Sequence, residues 1–136
     1  MQKFFISLVM FLLVVPSLGY AKAGVVEGDD AKKLYEKEKK TAKVLVQKNK
    51  EFTLRLPDGK EIEKPEQLTV KIGERFYIVN EEDTFVHNVY DVTDSSWVLT
   101  KQLPGNVAAV TFEDAGTHML RCAIHPIMHT NVKVVQ

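Results

Sequence analysis

A thiol, an imidazole and a thioether follow one another at intervals of three residues near the end of the chain. They belong to Cys122, His125 and Met128. His87, among apolar residues upstream, offers a second imidazole. Two imidazoles, one thiolate and a weak thioether are the ligands of a blue-copper electron-transfer site, because soft sulfur favours Cu(I) while imidazole accepts both copper states. These four residues therefore predict a site for one type 1 copper ion that carries single electrons.

The residues around the cysteine support this interpretation. Alternation along the preceding strand places His118, Leu120 and Cys122 on one face, so Cys122 should leave the sheet pointing inward. Pro126 biases His125 away from helix and keeps the loop extended. Because three ligands share a short loop, little entropy is lost in bringing them together. His87 has to come from another strand, so a completed site would tie two parts of the domain together.

The start of the chain is typical of an export signal. Lys3 precedes an apolar run over residues 4–15, and Ala21 and Ala23 flank a small-residue cleavage site. The run is short for a membrane span. We therefore predict a signal peptide over residues 1–23 and an exported chain without stable membrane insertion; the alternative is an uncleaved N-terminal anchor.

The chain has 136 residues, enough for one domain, and one cysteine. In an oxidising compartment Cys122 has no partner for an internal disulfide. A lone thiol there is prone to oxidation unless it is buried or bound to a metal. The export signal and the single cysteine together favour the metal site.

Charge is unevenly distributed. Residues 24–50 carry eight Lys and five Asp or Glu, whereas the chain from residue 51 carries eight Lys or Arg and thirteen Asp or Glu. The folded domain therefore lacks the clustered basic face that nucleic-acid binding requires. The charged segment 24–43 has a thin apolar stripe, and Asp29 or Asp30 could cap a helix. It is predicted to be an extension that forms a short surface helix or a mobile leader.

The rest of the chain reads as short β-strands separated by turn residues, for example Pro57-Asp58-Gly59. About eight or nine strands at fairly even intervals indicate an antiparallel sandwich or barrel. The fold class predicted for residues 44–136 is all-β. The predicted strands cover residues 44–46, 52–56, 67–71, 75–80, the segment around His87, and residues 97–99, 107–112, 117–121 and 131–135.

Several of these segments resemble the cupredoxin family, in its plastocyanin-like group, and most of all its amicyanin and pseudoazurin branches. The similar segments are residues 70–73, 78–80, 87–89, 112–117 and the 122–128 loop. The resemblance spans residues 65–136 and implies a Greek-key β-sandwich with one type 1 copper near one end. It also implies electron transfer between periplasmic redox proteins.

Four positions depart from the family pattern. Ser or Thr usually follows the cysteine and tethers the residue after the first histidine, but here the position is Ala123, so Asn88 must rely on backbone partners. Ile124 stands where proline is common and keeps an N–H that could stabilise the thiolate. His118 replaces a common tyrosine, and is expected to be packed or hydrogen-bonded. His129 is extra and expected to face solvent.

Four protein ligands leave no open coordination position for a substrate, so the chain is predicted not to be an enzyme. Electrons would pass through His125, with Ile124, Pro126, Ile127 and Phe85 as an apolar rim for a redox partner. The protein is expected to be a monomer. Alternative functions are copper delivery or sequestration, a dedicated electron donor to an oxidoreductase, or a structural sandwich with zinc or without metal.

Overall fold

A computed structural model describes residues 23–94 and 97–136. This part of the chain forms ten β-strands and one helix, α1 (Gly28–Glu38). The strands are β1 (Gly24–Glu27), β2 (Val44–Lys48), β3 (Glu51–Arg55), β4 (Glu61–Glu63), β5 (Gln67–Lys71), β6 (Phe76–Asn80), β7 (Val89–Asp91), β8 (Val107–Thr111), β9 (Gly116–Cys122) and β10 (His129–Val135).

The strands form two sheets. One has six strands in the order β1-β8-β6-β2-β3-β4, and the other has four in the order β5-β10-β9-β7. Most neighbouring strands are antiparallel, but β2 pairs with β6, and β5 with β10, in parallel. The prediction of an all-β sandwich is therefore confirmed.

Two apolar cores lie on opposite faces of the six-stranded sheet. The larger core fills the space between the sheets and includes Leu45, Ile78, Leu120 and Cys122. The smaller core lies on the outer face, where Ala31 of α1 packs with residues such as Val46. Because both faces of the sheet are covered, residues 44–47 of β2 and all five residues of β6 are buried instead of alternating, and most of them are apolar.

The segment predicted as a charged extension is built into the sandwich. Strand β1 pairs with β8 at the edge of the six-stranded sheet, and α1 follows it directly. Of the two expected forms, helix or mobile leader, the structure contains the helix. Its N-cap residue is Glu27, and Asp29 and Asp30 lie in the first turn, where they complement the helix dipole without capping it. The domain boundary placed at residue 44 stays a prediction.

Strand assignment from the sequence was wrong in four places. Strands β1 and β4 were missed; β4 reads Glu-Ile-Glu and is exposed throughout. Residues 97–99 were predicted as a strand, yet only Val98 forms an isolated bridge, with Tyr90. His87 also lies outside a strand, in a bridge with Gln102. In these short segments the neighbouring strand, and not local propensity, decides the pairing.

The signal peptide predicted for residues 1–23 lies outside the described residues, apart from Ala23. Within the two described ranges, no helix has the length and apolar character needed to cross a membrane.

Candidate metal centre

The cysteine loop connects two neighbouring antiparallel strands. Cys122 is the last residue of β9, and β10 begins at His129, opposite Arg121. Within the loop, the Cys122 N–H donates to the Met128 carbonyl at 3.1 Å, and the Met128 N–H donates to the His125 carbonyl at 2.9 Å. These bonds fold the loop back on itself, so that His125 returns toward Cys122.

His87 reaches the same place from the connection between β6 and β7, which belong to different sheets. After β6, the side chain of Asn80 donates to the carbonyls of Phe85 and Gln102, both at 3.0 Å. His87 itself exchanges two backbone hydrogen bonds with Gln102, of 3.0 and 2.7 Å. This double pairing fixes the backbone of His87 beside the Cys122 loop.

Three of the four predicted ligand side chains converge. The Cys122 Sγ lies 3.6 Å from His87 Nδ1 and 4.0 Å from His125 Nδ1, and the two nitrogens are 3.2 Å apart. Cys122 and His87 are fully buried, and His125 is half-buried. The prediction that Cys122 points into the interior is confirmed, and the three donor atoms form a cluster that could hold a metal ion.

Met128 lies at the end of the same loop. Its side chain is 2% exposed and belongs to the same core as Cys122. The other two histidines lie elsewhere: His118 contacts Asp91 and stacks on Phe112, and His129 is exposed, as expected for both.

Glu82 is a neighbour of the donor cluster that the sequence analysis missed. Its Oε1 lies 3.2 Å from His87 Nε2 and accepts the Lys50 N–H at 2.6 Å. Since a carboxylate has no proton to donate, His87 carries a hydrogen on Nε2, and this contact fixes the orientation of its ring, with Nδ1 toward Cys122. The sequence did show a glutamate five residues before His87. Only the fold shows which of the three acids at residues 81–83 turns inward.

The surroundings of Cys122 favour a thiolate. Burial acts to raise the pKa of its thiol, but the hydrogen bond with His87 and the N–H groups of Asn88, His125 and Ile124 outweigh it and lower the pKa to about 6. Burial likewise opposes the charged form of His87, yet its hydrogen bonds with Cys122 and Glu82 raise its pKa. At neutral pH the thiol is therefore mostly deprotonated, as a metal ligand must be.

Asn88 links the histidine and cysteine segments. Its N–H points at Cys122 Sγ at 3.4 Å, and its carbonyl accepts the Ala123 N–H at 2.8 Å. Its side-chain amide donates to the Leu99 carbonyl at 2.6 Å. As expected from Ala123, which has no hydroxyl, the Asn88 side chain uses a backbone partner.

An apolar surface surrounds His125. Ile127 is 84% exposed, and Ile124 and Phe85 are about half exposed. The Phe85 ring meets His125 edge-on at 6.1 Å, and the Lys50 ammonium lies 4.1 Å from the centre of the Phe85 ring. His125 is therefore the half-buried donor of the cluster, and it lies beside this apolar surface.

The donor set fits copper. Ligand atoms about 2.0 to 2.3 Å from one metal ion lie about 3.5 to 4.0 Å apart in a trigonal arrangement. The separations of 3.2, 3.6 and 4.0 Å between these three donors are close to that range. Two imidazole nitrogens and a thiolate suit copper in both oxidation states.

Fold and site together define a cupredoxin-like β-sandwich. Among solved structures, the chain is similar to the reduced Cu(I) form of an amicyanin variant, at 24% identity and a TM-score of 0.54, over 68% of this chain and 81% of that one. It is also similar to another reduced amicyanin variant, at 22% identity and a TM-score of 0.60, over 83% of this chain and 98% of that one. At these identities the likeness establishes the fold. No family model and no curated protein sequence matches the chain.

Proposed function

We propose that this protein is an exported type 1 copper protein that carries single electrons between redox partners. The observation that carries the proposal is the buried convergence of His87 Nδ1, Cys122 Sγ and His125 Nδ1, all within 4.8 Å of one another. Met128, in the same loop, would supply a weak fourth ligand. The similarity of the fold to amicyanin in its Cu(I) form supports copper as the metal.

The residues around the three donor side chains suit electron transfer because these neighbours hold the donors in place. His87 is fixed by Gln102 and Glu82, and Cys122 by the loop and by Asn88. A bound copper ion would supply the redox centre by alternating between Cu(I) and Cu(II). Donors that move little between the two states keep the rearrangement on electron transfer small.

Four protein ligands would leave no position for a substrate, which supports a carrier over an enzyme. The export signal predicted for residues 1–23 supports a periplasmic location. The proposal is tested by loading the purified mature chain with Cu(II) and recording its visible and EPR spectra through a cycle of reduction and oxidation. An intense thiolate-to-copper band that disappears and returns supports it; a colourless chain that binds Cu(I) alone favours copper delivery or sequestration.

We further propose that partners dock on the apolar surface around His125. This surface, formed by Phe85, Ile124, Pro126 and Ile127, lies beside His125, the half-buried donor of the cluster. A small apolar patch suits a weak encounter that dissociates rapidly after the electron has passed.

Replacing Ile127 with glutamate is expected to slow electron exchange with the physiological partner by about fivefold or more, because a carboxylate must be desolvated at the centre of the contact. The visible spectrum should not change, since the side chain is 84% exposed and is not one of the donors. Stopped-flow kinetics measures the rate.

Ile72→Glu is the matched control for this prediction. Ile72 is also partly exposed, but it lies beside the end of β10 that is opposite the metal loop. An equal slowing in both variants would show that net charge, and not the surface around His125, governs docking.

Replacing Ile124 with proline is expected to lower the reduction potential. Proline has no N–H, and the Ile124 N–H is one of the groups that stabilise negative charge on Cys122. The charge-rich Cu(I) form loses more from its removal, by about 20–60 mV for a hydrogen bond of ordinary strength. Voltammetry measures the potential, with Ile124→Val, which keeps the N–H, as control. An unchanged potential in Ile124→Pro contradicts the role of this N–H.

A further inference from the structure

A buried carboxylate lies one strand away from the donor cluster. Asp91, at the end of β7, is fully buried, and its Oδ1 accepts the N–H groups of Thr93 and Asp94. Its Oδ2 lies 2.6 Å from His118 Nδ1 and accepts the Trp97 indole N–H at 3.1 Å. A carboxylate only accepts, so His118 donates from Nδ1. Asp91 thereby binds β9, through His118, and the segment at residue 97.

The segment held by Trp97 leads directly to Asn88. Two residues after Trp97, the Leu99 N–H donates to the Val89 carbonyl at 2.8 Å, and the Leu99 carbonyl accepts the Asn88 side-chain amide at 2.6 Å. Among the described residues, this carbonyl is the acceptor for the Asn88 side-chain amide. The Leu99 carbonyl therefore holds the side chain of Asn88 in place.

Asn88 in turn faces the cysteine. Its N–H lies 3.4 Å from Cys122 Sγ, and its carbonyl binds the N–H of Ala123. The register of β7 and β9 pairs Val89 with Cys122 and Asp91 with Leu120. The carboxylate thus acts on both strands that flank the Asn88–Cys122 contact.

We propose that Asp91 is a positioning residue for the metal centre: through Trp97 and the Leu99 carbonyl, its carboxylate holds Asn88 against the sulfur of Cys122. The His118 contact anchors the carboxylate to the strand that delivers the cysteine. The proposal concerns contacts within the protein itself; only its effect on bound copper rests on the proposed function.

Hydrogen exchange of the metal-free protein tests the positioning. Trp97→Phe removes the indole donor and keeps an aromatic ring against Phe112. We expect the residue 88 and residue 123 amides to exchange about tenfold faster, which corresponds to loss of one hydrogen bond to a charged group. Tyr77→Phe is the matched control, because it removes a donor to the Glu38 carboxylate on the other core; it should leave these two amides unchanged.

The same Trp97→Phe change, made in an Asn88→Ala variant, distinguishes positioning of Asn88 from a general loss of packing. In Asn88→Ala the side-chain link to Leu99 is already cut, so adding Trp97→Phe should change exchange of the two amides by less than about twofold. Unchanged exchange in Trp97→Phe alone, or an equal acceleration in both backgrounds, overturns the proposal. In the copper-loaded form, Trp97→Phe should also shift the thiolate-to-copper band, and Tyr77→Phe should not. If the chain bound no copper, the proposed function would fail while the exchange results still decided the role of Asp91.

Discussion

Replacing Cys122 with serine is expected to abolish the thiolate-to-copper charge-transfer band and to weaken copper binding by more than about 100-fold. A serine hydroxyl does not ionise near neutral pH, whereas the pKa of the Cys122 thiol is lowered to about 6, so the variant loses the anionic sulfur on which both properties depend. The fold should persist, because serine is nearly isosteric with cysteine. Visible spectroscopy and a competitive copper titration measure the two effects.

Met128→Leu provides the comparison within the same loop. The thioether is a weak axial ligand in sites of this type, so this variant should keep an intense band, with a changed position or EPR spectrum. A band that survives in Cys122→Ser would contradict the ligand role of the thiolate. Loss of the band in Met128→Leu, with the fold intact, would show that the methionine contributes more than a weak axial contact.

Replacing Ala31 with aspartate is expected to lower the free energy of unfolding by about 3 kcal/mol or more, a large part of the stability of a domain of this size. Ala31 is fully buried between helix α1 and the six-stranded sheet, where a carboxylate would have neither water nor a cation. Aspartate in the first turn of a helix is otherwise favourable, so the loss would come from burial alone. Urea unfolding measures it.

Lys33→Asp is the control, because it introduces the same residue on the exposed face of the same helix. It should cost well under 1 kcal/mol. Similar losses in the two variants would mean that α1 is not part of the cooperative core. The copper-loaded Ala31→Asp chain should keep its spectrum below its unfolding transition, because the helix packs on the face of the sheet that points away from the donor cluster.

The sequence analysis predicted local features well. Alternation along β9 correctly predicted that Cys122 points inward, and the missing hydroxyl at Ala123 correctly predicted a backbone partner for Asn88. These predictions depend on the alternation of side chains and on neighbouring atoms, which a few residues specify. The role of the four predicted ligands stays a prediction, although the structure brings three of them together.

The residues that support the site could not be found in this way. Glu82 is one of three consecutive acids, and strand register brings Asp91 to His118, which lies 27 residues later in the chain. The pairing of β1 with β8 was missed for the same reason, since four residues carry too little pattern to identify an edge strand.

The sequence by itself determined the class of fold, the donor types and their spacing in one loop, because these follow from side-chain chemistry and short-range alternation. Tertiary structure alone decided which acid orients His87, which carbonyl holds Asn88, and how residues 24–38 cover the second core. Each of these depends on contacts between distant segments, and their positions are set by the pairing of strands and the packing of the whole sandwich.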